Sequence, residues 1–262
     1  MEINLKNKKE LANLLNKEFK KRNSKFELSF EKPDPLFIAK KYNDEYVALI
    51  CALFAYGNAH QIVKFLSSLD FSLLDTNEKT IRKNLKDKYY RFQNNEDVVS
   101  FFIALYRLKK SFSLQDIFYD KYHKQRCVLS GIEAIITAIK KSYDYSSCGY
   151  DFLIGKVPKK DKSGKIKYNT NSPYKRYNMF LRWMVRKDNI DLGLWTKVDK
   201  KDLILPLDTH TFNICKKLGL LDRKTYDLKS AILITQKLKE LDPLDPIKYD
   251  FAIYRLGQEK IL

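Results

Sequence analysis

The sequence predicts an all-α protein, and three observations carry this prediction. Apolar residues recur at intervals of three and four through most of the chain, which is the spacing that places them on one face of a helix. Glycine and proline are scarce, at 8 and 7 of 262 residues, and this disfavours a turn-rich β fold. No segment alternates apolar and polar residues in the manner of a strand. With 44% hydrophobic residues, the chain can bury one large core or two smaller ones.

The N-terminal half predicts a series of helices separated by short breaks. A charged amphipathic helix is predicted over residues 5–25, and Lys32-Pro33-Asp34-Pro35 interrupts the chain after it. The apolar stretch 46–69 predicts two buried helices, because the turn-forming Tyr56-Gly57-Asn58 divides it. Further helices are predicted at residues 75–85, 97–109, 114–122 and 127–141, the last with Ser130 as its candidate N-cap.

The C-terminal half begins with a long connection. Residues 142–172 contain three glycines, one proline and little apolar periodicity, so this segment is predicted to be a loop. Basic residues cluster here, because the segment from Lys156 to Lys187 has eleven basic residues and one acidic residue, Asp161. Helices are then predicted at residues 175–187, 208–218, 226–241 and 247–256, the second ending at Gly219, which gives about eleven helices in all.

The chain is strongly basic, with a net charge of +18 from 50 Lys and Arg against 32 Asp and Glu. A basic excess of this size favours a polyanionic partner, because the binding of phosphates releases condensed counterions. An alternative stays open. Lys outnumbers Arg by 40 to 10, and Asn, Ile and Tyr are frequent, which is a bias that an A/T-rich genome also produces.

The sequence disfavours membrane and metal-dependent classes. No apolar run approaches the ~18 residues needed to cross a bilayer, and the charged N-terminus lacks a signal-peptide core, so we expect a cytoplasmic protein. The four cysteines have no ligand-like spacing and the three histidines are isolated, so no metal site and no cofactor is predicted. Cys51 and Cys215 fall in apolar helical patterns and are predicted to be small core residues.

Two short stretches place a turn directly before a predicted helix, with a reactive residue type at the helix start. They are Ser172-Pro173-Tyr174-Lys175-Arg176-Tyr177-Asn178-Met179-Phe180-Leu181 and Leu205-Pro206-Leu207-Asp208-Thr209-His210-Thr211-Phe212. A neutral amine can attack the sugar C1′ of a nucleotide and form a Schiff base, and a carboxylate stabilises the positive charge that develops on the sugar. Burial, a helix N-terminus and a neighbouring cation all favour the neutral form of an amine. Lys175 and Asp208 are therefore the candidate catalytic pair.

Simpler interpretations exist for both residues. Asp208 has the residue type and position of a helix N-cap, and Lys175 is one of forty lysines, most of which lie on the surface. Asp191 and Asp202 are alternative carboxylates, but they lie in polar loops and are expected to be solvated. The pairing of Lys175 with Asp208, together with Asn178, favours the catalytic interpretation.

The two stretches resemble the helix-hairpin-helix DNA glycosylases, the superfamily of endonuclease III and the 8-oxoguanine glycosylases. In that superfamily the hairpin ends in a catalytic Lys of the form Lys-x-x-Asn-apolar-apolar-Leu, and residues 175–181 fit this form. An apolar-Asp-Thr-His turn carries the catalytic Asp, and Leu207-Asp208-Thr209-His210 fits it. The resemblance implies two helical lobes with an intervening DNA-binding cleft. It also implies excision of a damaged base through a Lys175 Schiff base assisted by Asp208, with AP lyase activity as an accompanying reaction.

The chain departs from that superfamily in three respects. The hairpin is usually of the type Leu-Pro-Gly-x-Gly, whereas Asn169-Thr170-Asn171-Ser172-Pro173-Tyr174 contains no glycine. Asp208 follows Lys175 by 33 positions, which is longer than in the endonuclease III-like enzymes and closer to the archaeal 8-oxoguanine branch, so 8-oxoguanine is the favoured lesion. No cysteine quartet follows Asp208, so an iron–sulfur cluster is not expected.

The resemblance also suggests further contacts with DNA. The residues expected to contact phosphates are Arg176, Arg182, Thr209 and His210. The residues expected to fill the gap left by an extruded base are Asn58 and Gln61. The aromatic residues that could stack on that base are Tyr56, Trp183 and Trp195. Structural alternatives stay open, because the turn at residues 56–61 is also a plain corner between helices, and aromatic residues at helical spacing usually belong to the core.

These observations predict a monomeric DNA glycosylase that acts on double-stranded DNA containing a damaged base, in the cytoplasm and associated with the nucleoid. Residues 45–170 are expected to form a helical barrel lobe. Residues 1–44 and 171–262 are expected to form the second lobe, which carries Lys175 and Asp208. Two other functions stay open: a non-catalytic helical module that binds DNA or RNA through a basic face, and a structural protein whose charge reflects genomic bias.

Overall fold

The computed structural model describes residues 8–29 and 31–259, and within these residues the secondary structure is helical. It contains thirteen α-helices, α1–α13, and five short 3₁₀ helices, while β-structure is limited to isolated bridges. The prediction of an all-α protein is confirmed. No helix in this described part of the chain is long and apolar enough to cross a membrane.

The chain divides into two compact units. The middle unit is Ser29–Pro158, and the terminal unit combines Met1–Leu28 with Lys159–Leu262. Both boundaries between the units lie earlier in the chain than the sequence suggested. They fall at residues 28–29 and 158–159, compared with the expected 44–45 and 170–171. The first border moves because a helix at Pro35–Tyr42 packs against the two helices that follow it.

The middle unit is built around one helix that is buried on every side. Its eight helices are α2 (Pro35–Tyr42), α3 (Glu45–Leu53), α4 (Ala59–Ser67), α5 (Glu78–Leu85), α6 (Asn95–Lys109), α7 (Leu114–Tyr122), α8 (Val128–Ser142) and α9 (Cys148–Ile154). Nearly all of α6 is buried, and α5, α8 and α9 pack around it. A helix that is apolar on all faces is typical of a domain core.

The terminal unit has a similar central helix. Its helices are α1 (Lys8–Arg22), α10 (Lys175–Val185), α11 (Thr209–Lys217), α12 (Leu228–Lys239) and α13 (Asp250–Gln258). Residues 177–184 of α10 are all buried. Helix α13 packs against α1 and α11, and it crosses α11 at Gly257, where a Cβ atom would overlap the ring of His210 and the side chain of Ile214.

Several sequence-based expectations are corrected by the structure. The segment 142–172 is not all loop, because Ser147 caps the short helix α9 by accepting a hydrogen bond from Tyr150 N at 2.9 Å. Helix α2 was missed, although Asp34 caps it and Pro35 starts it. Cys127, not Ser130, is the N-cap of α8. The predicted end of α11 is confirmed at Gly219, which has φ +70°, and the first residues of the predicted helix 5–25 lie outside the described residues.

Candidate active site

Lys175 is the first residue of α10 and follows a turn that contains no glycine. Tyr174 adopts the left-handed conformation there, with φ 51° and ψ 37°. This conformation favours glycine and costs other residues roughly 1–2 kcal/mol. The tyrosine is nonetheless well packed, with only 8% of its surface exposed. The chain therefore makes a left-handed turn in front of Lys175 without a glycine.

Asn178 closes this turn from inside α10. It is fully buried, and its Nδ2 donates a hydrogen bond to the carbonyl of Pro173 at 2.9 Å. Asparagine suits this position because its amide can reach a carbonyl that the helix itself leaves unsatisfied. The Asn of the Lys-x-x-Asn pattern thus holds the backbone two residues before Lys175.

Asn171 supports the same turn from outside the helix. Its Oδ1 accepts hydrogen bonds from Lys159 N at 2.9 Å and from the Tyr174 hydroxyl at 3.3 Å. Its Nδ2 donates to the carbonyls of Lys159 at 3.1 Å and Lys167 at 2.7 Å. This buried side chain therefore joins the segment 159–167 to the turn that presents Lys175.

The Lys175 side chain is half-buried at the start of α10. Within the described part of the chain, its amine takes part in no hydrogen bond or ion pair. In particular, no ion pair joins it to Asp208.

Asp208 is the N-cap of α11. Its Oδ1 accepts a hydrogen bond from Thr211 N at 2.7 Å, which satisfies one of the free N–H groups at the helix start. The carboxylate is half-buried, and the apolar residues before it, Leu205 and Leu207, are fully buried. The cap fixes one carboxylate oxygen, and no described residue donates a hydrogen bond to the other.

A linking segment, residues 226–228, contacts both stretches. The Tyr226 hydroxyl donates a hydrogen bond at 2.9 Å to the carbonyl of Leu207, the residue before Asp208. Two residues later, Leu228 N donates at 3.0 Å to the carbonyl of Asn171. The two turns are thus bonded to one short segment of the same unit.

The charge of Asp208 acts on its neighbours. Burial raises the pKa of Tyr226 to about 12, and the nearby Asp208 carboxylate adds to that rise. Burial also raises the pKa of Asp250 to about 6; the adjacent Arg182 opposes this rise, and the charge of Asp208 strengthens it. Asp208 therefore lies close enough to Tyr226 and Asp250 to interact with them electrostatically.

Helix α10 carries a buried ionic cluster further along its length. Arg182 bonds to Asp191 at 3.1 Å and also to Asp250, while Arg186 bonds to Asp191 and to Asp245 at 2.9 Å. The Asp191 carboxylate was expected to be solvated but is completely buried. The predicted phosphate contact of Arg182 is corrected, because this side chain is only 5% exposed and is bonded to two carboxylates.

The turn at residues 56–61 lies in the middle unit, and its Tyr56 packs against two exposed phenylalanine rings. Tyr56 is half-buried, and its ring stacks parallel to Phe92 at 6.1 Å and meets Phe152 edge-on at 5.0 Å. Phe92 is 59% exposed and Phe152 is 44% exposed. The Arg91 guanidinium lies 5.4 Å from the centre of the Phe92 ring. We call these four residues the aromatic tip.

The polar residues of this turn have mixed positions. Asn58 caps α4 by accepting hydrogen bonds from His60 N at 3.0 Å and Gln61 N at 3.3 Å. The Asn58 and Gln61 side chains are both exposed. Their predicted insertion into DNA stays a prediction, and the cap gives Asn58 a structural role as well.

The comparison with known families gives one result. The family described as "Protein of unknown function (DUF2400)" matches residues 34–259. The chain belongs to this family. No curated protein and no solved structure matches the chain.

The DUF2400 match contains both candidate catalytic residues and the aromatic tip. Two predicted base-stacking residues of this DUF2400 protein are corrected by burial. Trp183 is 1% exposed and Trp195 is 3% exposed, and Phe180 packs edge-on against the Trp195 ring at 5.3 Å. Neither indole has a free face for a base, so both belong to the core of the terminal unit.

The remaining predicted DNA contacts of this DUF2400 protein lie at helix starts. Thr209 and His210 are exposed in the first turn of α11, and the His210 ring is 6.2 Å from that of Tyr254. Arg176 is half-buried beside Lys175.

Cys51 and Cys215 are core residues, as the sequence predicts, and burial raises the pKa of both thiols. No group of His, Cys, Asp and Glu in the described ranges has an arrangement that could hold a metal ion.

Sequence reasoning missed Arg91, Phe92 and Phe152 of the aromatic tip in the middle unit. It also missed Asn171 and Tyr226 in the terminal unit. Phe92 and Arg91 follow Tyr89-Tyr90, and this aromatic run outside any helical period was the available signal for the tip. Asn171 and Tyr226 act through contacts with residues distant in sequence, Leu228 and Leu207. Nothing in the local sequence of either residue indicates such a contact.

Proposed function

We propose that this protein is a DNA N-glycosylase that removes a damaged base from double-stranded DNA, with 8-oxoguanine as the favoured lesion. Lys175 is the nucleophile and Asp208 the assisting carboxylate. The protein acts on chromosomal DNA and is expected to associate with the nucleoid. One observation carries the proposal: the chain leading into each of the two helix starts, at Asn171 and at Leu207, is bonded to the same linking segment in one unit.

The proposed reaction begins at the Lys175 amine. Its nitrogen forms a bond to C1′ of the damaged nucleotide, and the bond from C1′ to the base nitrogen breaks with the electron pair leaving on the base. The base leaves with a proton, and opening of the sugar ring gives an imine between Lys175 and C1′. Loss of a proton from C2′ then permits β-elimination of the 3′ phosphate, which is the AP lyase step.

Asp208 supplies a fixed negative charge for this reaction. Positive charge develops on the sugar as the base departs, and an oriented carboxylate stabilises it by interactions typically worth 10²–10³ in rate. The N-cap bond to Thr211 fixes the orientation of Asp208 through Oδ1. The other oxygen is available to the sugar or to the Lys175 proton.

The aromatic tip supports the proposal from the middle unit. A glycosylase must extrude its target nucleotide, and the gap in the stack has to be filled. Exposed aromatic side chains are suited to this because they stack on bases irrespective of sequence, and Phe92 and Phe152 are the exposed rings of the tip. Arg91 adds a positive charge beside the Phe92 ring.

Borohydride trapping tests the proposal. The wild-type protein is mixed with a duplex containing 8-oxoguanine, and borohydride then delivers hydride to the imine carbon, which converts the imine to a stable secondary amine. We expect a covalent protein–DNA adduct that is lost in Lys175→Ala. The matched control is Lys217→Ala, which removes an exposed lysine from α11. Absence of an adduct on duplexes that carry oxidised or deaminated bases would contradict the proposal.

A second candidate function is a non-catalytic DNA- or RNA-binding protein. It is favoured by the lack of an ion pair between Lys175 and Asp208. This function predicts salt-dependent binding with no adduct, and equal binding by wild type and Lys175→Ala within a few-fold.

A further inference from the structure

A basic, exposed segment of the terminal unit lies just before the Lys175 turn. Residues 159–167 include five lysines and one acidic residue, Asp161. All of these side chains are exposed, and Ile166 is the only residue of the segment that is partly covered. The predicted catalytic pair makes no use of this segment.

The segment is an ordered hairpin. Asp161 N donates to Lys165 O at 2.8 Å, and Lys167 N donates to Lys159 O at 2.9 Å. The Asp161 carboxylate closes the turn by accepting from Ser163 N at 2.8 Å and Lys165 N at 3.0 Å, and Gly164 has φ +80°. We call residues 159–167 the basic hairpin.

The pairing of its two arms groups the lysines on one face. Alternate residues of an extended chain point to opposite sides, so Lys159, Lys165 and Lys167 share a face with Asp161, which is opposite Lys165, while Lys160 and Ile166 take the other. This face keeps a net positive charge. Lys159 and Lys167 are directly opposite each other, and like charges in that position repel. An anionic partner on this face removes the repulsion.

Asn171 fixes the basic hairpin relative to the candidate active site. Its side chain bonds to Lys159 and to Lys167, one on each arm. Its carbonyl accepts from Leu228 N at 3.0 Å in the linking segment, and its Oδ1 accepts from the Tyr174 hydroxyl. The lysine face and the Lys175 turn are therefore held by one residue.

We infer that the basic hairpin binds the sugar–phosphate backbone of the duplex whose damaged nucleotide reacts with Lys175. The inference rests on the proposed function, because the duplex is the polyanion that this function brings to the Lys175 turn. Lys162 at the turn, with Lys165 and Lys167 on the face, each neutralise one phosphate. The hairpin contributes affinity without base specificity, because phosphate contacts carry no sequence information.

The salt dependence of binding measures these contacts. Each neutralised phosphate contributes about −0.9 to the slope of log K against log salt concentration. Loss of three contacts should make the slope shallower by about 2 to 3 and weaken binding on the order of 100-fold at 0.15 M salt.

The test compares two triple variants on an undamaged duplex between 0.05 and 0.2 M salt, about the range in which such contacts are resolved. The hairpin variant is Lys162→Gln, Lys165→Gln and Lys167→Gln. The control is Lys17→Gln, Lys20→Gln and Lys21→Gln, which removes three exposed lysines from α1 in the same unit and the same net charge. We expect the slope change in the hairpin variant and a change below about 1 in the control.

Other outcomes overturn the inference in distinguishable ways. Equal losses in both variants, or none in the hairpin variant, contradict the inference alone, provided that wild type still forms the borohydride adduct. A hairpin variant that loses affinity for single-stranded RNA but not for the duplex also contradicts it. If wild type neither binds the duplex nor forms an adduct, the proposed function fails together with the inference.

Discussion

The turn before Lys175 and the turn before Asp208 both present a reactive residue at a helix start, but they are held in different ways. Asp208 is its own N-cap, so the bond to Thr211 that orients it lies within four residues. Lys175 has no side-chain cap before it. Its turn depends on the left-handed Tyr174 and on Asn171, which reaches residues 12 positions away. One turn is supported locally and the other by distant parts of the chain.

Because of this difference, we expect substitutions to affect the two turns differently. A locally supported residue can lose its charge and keep its position, because an isosteric amide still accepts the capping bond. A turn that depends on distant partners loses its shape when one of them is removed. The following predictions test the two cases, beginning with the largest expected effect.

Asp208→Asn is expected to lower the rate of base excision by about 10²–10³ while the fold remains intact. Asparagine caps helices about as well as aspartate, so the free energy of unfolding should change by less than about 0.5 kcal/mol. Single-turnover excision and thermal unfolding measure the two quantities. The control, Asp208→Ala, loses the cap as well and should cost about 1 kcal/mol of stability. Equal activity in Asp208→Asn and wild type would leave Asp208 as an N-cap alone.

Asn171→Ala is expected to destabilise the protein by about 2 kcal/mol, because it removes the hydrogen bonds that the buried Asn171 side chain makes to the backbone of Lys159 and Lys167. Excision should also slow, since the Lys175 turn loses its outer support. Denaturant unfolding gives the stability change. The matched control is Asn169→Ala, an exposed asparagine in the short 3₁₀ helix that ends just before Asn171, which should stay within about 0.5 kcal/mol of wild type. Similar stabilities for the two variants would show that Asn171 does not support the Lys175 turn.

The free energy of unfolding should depend on pH because of Asp250, which interacts with Asp208. The pKa of Asp250 rises from the ordinary 3.8 to about 6 on folding, so the native state binds a proton more tightly than the unfolded state. The stabilisation is fully present below about pH 3.8 and is lost as the pH rises through about 6. Relative to Asp250→Asn, wild type should therefore lose stability across this window. Such a transition spans roughly pH 4 to pH 7. If the two unfolding free energies differ by a constant amount across this range, the raised pKa of Asp250 is contradicted.

Tyr226→Phe should have the smallest effect. It removes one hydrogen bond, from the hydroxyl to the Leu207 carbonyl, which is worth about 1 kcal/mol. Because the Thr211 cap still holds Asp208, excision should slow by less than about tenfold. Tyr168→Phe, at an exposed tyrosine, serves as the control. A loss of activity as large as that of Asp208→Asn would show that the linking segment, and not the cap, fixes the carboxylate.

The same contrast explains what the sequence could predict. The helices around Lys175 and Asp208 follow from apolar periodicity, and the Asp208 cap follows from residue type at a helix start. Asn171 and Tyr226 could not be assigned, because their partners become neighbours only after folding. The short helix α9 was missed because its seven residues are too few to establish a period.

The positions of charged residues were predicted least accurately from the sequence. Arg182 and Asp191 were expected to lie at the surface, and they form a buried pair instead. Charged residues are usually exposed, and the exceptions depend on a partner that the local sequence does not reveal. For Trp183 the sequence left two interpretations open, and its burial on α10 confirms the core residue and excludes the base-stacking one.

The most direct test of the central claim is a double-mutant cycle between Lys175→Ala and Asp208→Asn, measured as single-turnover excision of 8-oxoguanine from a duplex. If the amine and the carboxylate act as one catalytic unit, the double variant should be no more than about threefold slower than the slower single variant. If the two effects multiply, the residues act independently and the two turns do not form one active site.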